Sequence, residues 1–163
     1  MAEPDETSEA EASGGARLSS PEGSGTFWSR LVLPRALREE LVAHCLRAWP
    51  LEGCGLLAGE AASGVAWRCY PTRNAAGSAR LYTVDPLDHL RADRDAQAQG
   101  LEVIGVFHSH THTDAYPSPT DVAQAPDPAW HYVLVSLRGE LPSVRSYRIL
   151  DGAVSEELLV EQA

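Results

Sequence analysis

The stretch VIGVFHSHTHTDAYPSPTD, residues 103–121, places two histidines directly after a run of apolar residues. The run at 103–107 predicts a buried strand, and His108 and His110 stand at its end. In a strand, residues two positions apart point to the same face of the sheet. We therefore expect both imidazoles to project side by side from the end of one strand.

Asp121 can add a carboxylate oxygen to this histidine pair. The residues between them predict a loop, and Ser118-Pro119-Thr120-Asp121 has the composition of a helix start. Two nitrogens and one oxygen from the protein, with a fourth position for water, are typical of catalytic zinc, whereas structural zinc sites use four protein ligands. The sequence predicts a zinc site formed by His108, His110 and Asp121. Without the two histidines, helix capping alone would be the better interpretation of Ser118 and Asp121. Because the histidines are present, we favour the hypothesis that Asp121 is a metal ligand.

Hydrolysis at such a site requires a general base for the water and a hydrogen-bond donor for the developing oxyanion. Glu52 is the candidate base, because it directly precedes the apolar segment Gly53-Cys54-Gly55-Leu56-Leu57, which predicts a strand. Taken alone, a glutamate before a strand is more often a solvated loop residue. Ser118 is the candidate oxyanion donor.

Composition limits the possible functions. The chain of 163 residues has the length of one domain and a net charge of −10, which argues against non-specific nucleic-acid binding. We find no apolar run long enough for a membrane helix and no signal peptide, so we expect a cytoplasmic protein without a membrane partner. The three cysteines lack C-x-x-C spacing and are expected to be reduced and buried; a metal role is conceivable only for Cys54.

The chain divides into a tail and one domain. Residues 1–25 are polar, with six acidic side chains against one arginine, and predict a disordered acidic tail. Residues 26–163 predict an α/β domain in which a mixed β-sheet is flanked by two main helices. The helices are expected at 34–48 and 86–98, and the strands at 27–33, 53–59, 65–70, 101–108, 132–137, 144–150 and 153–159, with a type I′ turn at Asp151-Gly152.

The motif residues resemble the JAMM (MPN+) metalloprotease family. His-x-His, then seven residues, Ser, two residues and Asp are present as His108, His110, Ser118 and Asp121, with Glu52 as the upstream acid. The resemblance extends over the whole domain and includes an Asn74…Tyr82…Asp85-Pro86 pattern. His110 and His112 are an alternative metal pair, but this pair would place Ser118 closer to the second histidine than the family spacing allows. We therefore expect His112 to be an exposed loop residue or a substrate contact.

The resemblance implies a JAMM/MPN-like (cytidine-deaminase-like) fold, a Zn²⁺ cofactor, Glu52 as general acid/base and Ser118 as oxyanion donor. It implies substrates that are C-terminal Gly-Gly tails of ubiquitin-like proteins, lying extended beside a strand edge. Similarity is greatest to small bacterial members of the Mec type, which hydrolyse the bond between a ubiquitin-like sulfur carrier protein and cysteine. The alternatives are an isopeptidase that removes a ubiquitin-like modifier from lysine, or a non-catalytic MPN scaffold. Exposed strand edges also suggest a homodimer.

Overall fold

A computed structural model describes residues 29–163, and the predicted tail at 1–25 lies outside the described residues. The described part contains seven strands and three helices. In chain order these are β1 Arg30–Pro34, α1 Arg35–Ala48, β2 Cys54–Glu60, β3 Val65–Thr72, α2 Pro86–Ala98, β4 Glu102–His110, α3 Pro119–Ala123, β5 His131–Ser136, β6 Ser143–Leu150 and β7 Ala153–Gln162. No helix among the described residues combines the length and apolar character needed to cross a membrane.

Local sequence signals account for the ends of α2. The carboxylate of Asp85 accepts hydrogen bonds from the backbone N–H groups of Leu87 and Asp88, and Pro86 occupies the first helical position, where no N–H is needed. Gly100, with φ +71°, follows the helix and lets the chain turn into β4. The predicted helix at 86–98 is therefore confirmed.

The sheet is mixed, as predicted, but it closes into a barrel in the order β1-β3-β2-β4-β5-β6-β7. The predicted mixed sheet flanked by two main helices does not include this closure. Strand β1 pairs in parallel with β7 from Arg30↔Leu158 to Pro34↔Gln162, and it also meets β3 at Val32↔Val65. This double pairing joins the two ends of the sheet. Closure occupies the outer edges on which the homodimer prediction depended.

Helices cover both faces of the sheet around the central strand β4. One apolar cluster joins Leu41 and Cys45 of α1 to buried residues of several strands, including Phe107. The other joins Ala92 of α2 to residues such as Val106. Every residue of β4 from Ile104 to His110 is buried, so the two histidines lie at the end of a strand enclosed on both faces.

The predicted hairpin between β6 and β7 is also present. Asp151 and Gly152 have φ angles of 49° and 78°, and two positive values in sequence match a type I′ turn. The hairpin aligns β7 beside β6, from Leu150↔Ala153 to Ser146↔Glu157. Strand β7 is thereby held in place to receive β1 and close the barrel.

Candidate active site

The end of β4 places the two motif histidines side by side. The strand runs to His110, two residues beyond the predicted end, so both histidines retain strand geometry. Their Nε2 atoms lie 3.2 Å apart. His110 Nδ1 lies 2.9 Å from the carbonyl oxygen of Asp114, which can only accept a hydrogen bond. Nδ1 therefore carries the proton, and Nε2 presents its lone pair toward His108 when the ring is neutral.

Helix α3 brings Asp121 to the histidine pair. Asp121 Oδ2 lies 3.1 Å from each histidine Nε2 atom and accepts a hydrogen bond of 2.8 Å from the backbone N–H of Ser118. The Ser118 hydroxyl in turn accepts from the N–H of Asp121, which completes a capping box. Asp121 therefore takes part in the capping box and also contacts both histidines, so the two roles considered for it are compatible.

The electrostatics favour an ionised aspartate beside His108 and His110. Burial opposes the charge of Asp121, but hydrogen bonds from both histidines hold the pKa of this carboxyl well below its usual range. Burial lowers the pKa of His108, which favours the neutral form that ligates metals. The Tyr82 ring stacks on His108 with the ring centres 4.0 Å apart and helps to enclose it.

These three side chains have the arrangement that a tetrahedral metal site requires. With zinc–ligand distances of about 2.0–2.1 Å, adjacent ligand atoms in a tetrahedron lie about 3.3 Å apart. The separations among His108 Nε2, His110 Nε2 and Asp121 Oδ2 are 3.2, 3.1 and 3.1 Å. Within residues 29–163, no other trio of histidine, cysteine or acidic side chains converges in this way. His108, His110 and Asp121 could therefore hold a divalent cation, and their donor set suits zinc.

Glu52 lies at the entrance to β2, where its side chain is only 5% exposed. Its Oε2 atom is buried and makes no hydrogen bond with any described residue. Burial raises the pKa of Glu52 to about 7; His110 opposes this rise and Asp121 adds to it. A carboxyl of this kind can take up and release a proton near neutral pH.

The backbone of Glu52 is held by the loop that follows β3. Its N–H donates to the carbonyl of Ser78 at 2.9 Å, and its own carbonyl accepts from Asn74 Nδ2 at 3.0 Å. The same Asn74 amide group donates to the carbonyl of Leu81, while its oxygen accepts from the N–H groups of Ala76 and Thr83. Asn74 therefore joins the glutamate to the adjoining loop. The sequence identified this asparagine only as part of a pattern; its position two residues before an Ala-Gly turn is the local signal for such an Asx-turn.

A cavity of about 350 Å³ opens at this point, and Glu52, His110 and Ser118 are among its walls. The remaining lining residues are Ala79, Arg80, Thr111, His112 and Thr113. The Ser118 hydroxyl oxygen is used as a helix cap acceptor, which leaves its O–H proton available to a ligand in the cavity. Of the five residues predicted to form the site, Glu52, His110 and Ser118 line this cavity. The metal-type cluster, defined as His108, His110 and Asp121, adjoins it through His110.

Three other residues considered in the sequence lie outside the metal-type cluster. His112 faces the cavity, and its ring packs beside Trp49 with the ring centres 5.3 Å apart. Burial raises the pKa of the Cys54 thiol to about 11, and its Sγ atom contacts Thr72 Oγ1 at 3.4 Å rather than joining His108, His110 and Asp121. His131 is buried, and its Nδ1 atom lies 2.6 Å from Glu157 Oε1.

His44 of α1 is half-buried and contacts two backbone carbonyls. Its Nε2 atom lies 3.0 Å from the carbonyl oxygen of Cys54 and 3.1 Å from that of Thr72. The ring therefore joins α1 to the neighbouring strands β2 and β3. No local sequence pattern marks this contact, because both acceptors are backbone carbonyls distant along the chain.

Comparison with known proteins identifies the family. Residues 34–150 match the prokaryotic homologs of the JAB domain. The CysO-cysteine peptidase of Mycobacterium tuberculosis is 44% identical over 128 residues, which are 78% of this chain and 88% of that protein. A probable TtuB-protein conjugate cleaving protease of Thermus thermophilus is 36% identical over 125 residues, 75% of this chain and 78% of that protein.

A solved structure has a similar fold. Protein DSY2949 of Desulfitobacterium hafniense superposes with a TM-score of 0.75 and 34% sequence identity, covering 81% of this chain and 92% of that one. The matched regions include β4, α3 and the loop before β2, where the motif residues lie. The chain belongs to the prokaryotic homologs of the JAB domain, within the JAMM family that its sequence motif resembles.

Proposed function

We propose that this protein is a zinc-dependent peptidase that hydrolyses the amide bond after the C-terminal Gly-Gly of a ubiquitin-like sulfur carrier protein and releases cysteine. The observation that carries the proposal is the convergence of His108, His110 and Asp121 beside the unpaired, buried carboxyl of Glu52. The similarity to a CysO-cysteine peptidase over 78% of the chain supports this substrate class. Such a reaction would contribute to cysteine biosynthesis.

The metal ligands in this proposal are His108 Nε2, His110 Nε2 and Asp121 Oδ2. Their mutual distances would suit a tetrahedral cation, and both histidines are buried. A zinc ion held there would lower the pKa of a bound water to about 7 and so supply a nucleophile at neutral pH. Hydrogen bonds to the carbonyl of Asp114 and the N–H of Ser118 keep His110 and Asp121 in the required orientation.

Glu52 acts as general base and then as general acid. Its Oε2 atom accepts a proton from the attacking water as the new C–O bond forms at the carbonyl carbon of the last glycine. When the C–N bond breaks, the same carboxyl donates that proton to the leaving amine. A pKa near 7 in the metal-free protein suits both steps, because each requires a proton transfer without a large energetic cost.

Ser118 stabilises the negative charge that develops on the carbonyl oxygen. Its hydroxyl is fixed by the capping box and lines the same cavity as Glu52. A donor held in this way is already oriented when the charge appears, so little reorganisation is needed. Removal of one such donor typically lowers kcat by about 10²–10³-fold.

Substitution of Glu52 by glutamine tests the proposal. The E52Q protein should bind one zinc ion per chain, as measured by elemental analysis, yet lose about 10²–10⁴-fold in hydrolysis of a carrier–cysteine adduct. Glu140, an exposed loop residue, provides the control, and E140Q should retain full activity. Full activity in E52Q would disprove the base assignment. A zinc-loaded wild-type protein that cleaves no carrier adduct would point instead to the non-catalytic scaffold.

An isopeptidase is the second candidate function, and the similarity to a protease named for cleaving TtuB-protein conjugates favours it. The reacting bond is an amide in both cases, and only the leaving group differs. Comparison of kcat/KM for carrier–cysteine and carrier–lysine conjugates decides between them. Preference for the lysine conjugate would replace the cysteine-releasing assignment while leaving the site chemistry unchanged.

We place this activity in the cytoplasm, since all three cysteines of the chain are free thiols and such thiols persist in a reducing compartment. Homodimerisation stays a prediction. It can be tested by measuring the mass of the full chain in solution.

A further inference from the structure

Arg80 is the arginine on the wall of the active-site cavity that also contains Glu52 and Ser118. The rest of the lining consists of alanine, threonine and histidine side chains, so this guanidinium is the permanent positive charge of the cavity. The chain as a whole has a net charge of −10 and would repel an anionic ligand. The positive charge of Arg80 can therefore attract an anionic ligand to this cavity despite the negative charge of the chain.

The backbone around Arg80 is fixed relative to the general base. The N–H of Arg80 donates to Ser78 Oγ at 3.0 Å, and the carbonyl of Ser78 accepts from the N–H of Glu52 at 2.9 Å. Thr111 Oγ1 donates to the carbonyl of Ala79, which ties the same turn to the end of β4. These bonds hold the point from which the arginine side chain extends.

The Arg80 side chain, in contrast, makes no ion pair or hydrogen bond with any residue of the described range 29–163. Some exposed arginines find partners, as Arg73 does with Asp85 and Asp88. Within residues 29–163 the Arg94 side chain, like that of Arg80, has none, but Arg94 lies on α2 and not among the residues that line this cavity. Arg80 therefore combines an anchored backbone with five free N–H donors. Its position on the cavity wall beside Glu52 makes these donors available to a bound ligand.

We propose that Arg80 binds the α-carboxylate of the leaving amino acid and thereby selects carrier adducts of a free amino acid over isopeptide conjugates. The proposal rests on the proposed function, in which Glu52 protonates the leaving amine. In a free amino acid the carboxylate is attached to the same carbon as that amine, so both groups enter the one cavity that Glu52 and Arg80 share. In a lysine conjugate the leaving nitrogen is at the end of a side chain and has no carboxylate beside it. A guanidinium matches a carboxylate in a bidentate manner, which gives selectivity as well as affinity.

The test uses three substrates and three variants of the zinc-loaded full-length protein. The substrates are a ubiquitin-like carrier ending in Gly-Gly that is joined to cysteine, to cysteine amide, or to the ε-amine of a lysine peptide. The variants are Arg80→Gln, Arg80→Lys and the control Arg94→Gln, which removes an exposed arginine of α2. Because Arg80 is exposed and its side chain has no internal partner, the substitutions should leave folding intact, which is checked by thermal unfolding.

We expect the wild type to prefer the cysteine adduct to its amide by about tenfold in kcat/KM, a size typical of one charge-assisted hydrogen-bonded pair. R80Q should lose this preference by slowing only on the free carboxylate, R80K should keep part of it, and R94Q should match the wild type. Equal rates on acid and amide in the wild type, or an equal loss on all three substrates in R80Q, would overturn the role of Arg80 while leaving the peptidase intact. Cleavage of no substrate by the wild type would overturn the proposed function, and this inference with it.

Discussion

Replacement of the buried Glu52 by glutamine should make the metal-free protein more stable at alkaline pH. The carboxyl is 5% exposed, and its Oε2 atom has no hydrogen-bond partner among the described residues. Ionisation at this position therefore places an uncompensated charge in the protein interior, which is unfavourable. Glutamine has nearly the same size and carries no charge, so it removes this unfavourable term.

The magnitude follows from the pKa of Glu52, which burial raises from 4.5 to about 7. Since the folded protein holds the proton more tightly than the unfolded chain, the associated stability is complete below 4.5 and is lost as the pH rises through about 7. Each pKa unit corresponds to about 1.4 kcal/mol, so the full loss is about 3 kcal/mol. The stability advantage of E52Q over the wild type should thus widen by about 2–3 kcal/mol between pH 5 and pH 8.

Urea unfolding of both proteins in the presence of a chelator, at pH 5 and pH 8, measures this difference. Titrating groups remote from Glu52 contribute equally to the two proteins and cancel in the comparison, whereas the coupling of Glu52 to His110 and Asp121 is part of the measured difference. E140Q again serves as the control and should show no pH-dependent difference from the wild type. A constant stability difference between E52Q and the wild type at the two pH values would refute the idea that Glu52 is a strained, buried carboxyl.

Three further substitutions test how the site and barrel are held together. Asn74→Ala removes side-chain hydrogen bonds to five backbone groups and should lower kcat more than it changes KM in steady-state kinetics. It should also destabilise the protein by about 2 kcal/mol, as measured by urea unfolding. Gly55→Ala places a methyl group 2.4 Å from an aromatic ring carbon and 2.5 Å from a carbonyl oxygen, and should cost about 1–3 kcal/mol, whereas Gly139→Ala meets nothing closer than 3.5 Å and should be neutral by the same assay. Glu157→Ala removes the carboxylate that buried His131 and Ser146 contact and should cost about 1–3 kcal/mol, the range for a buried polar group left without its hydrogen-bond partner; a loss below about 0.5 kcal/mol would show that these contacts are dispensable.

The motif geometry could be predicted from the sequence because it depends on local periodicity. The spacing of His108 and His110 places them on one face of a strand whatever the strand pairs with. The spacing of Ser118 and Asp121 similarly defines a capping box at a helix start. For Glu52, the local sequence indicates only a position before a strand. Its approach to the site depends on the pairing of β2 with β4, where Cys54 lies opposite His108.

The closure of the barrel could not be predicted from local patterns. Strand β1 meets β7 at residues that are more than 120 positions away in the chain, as in the pair Arg30↔Leu158. An alternating apolar pattern indicates a strand but does not name its partner. The buried contact of His131 with Glu157 could not be predicted either, because the two residues are distant in the chain and no local sequence pattern marks them as partners.

The most direct test of the central claim is a crystal structure of the zinc-loaded E52Q protein with anomalous scattering recorded at the zinc edge. The account predicts one strong peak about 2.0–2.2 Å from His108 Nε2, His110 Nε2 and Asp121 Oδ2, with residue 52 facing the open coordination position. A zinc peak elsewhere, or coordination that excludes Asp121, would contradict it.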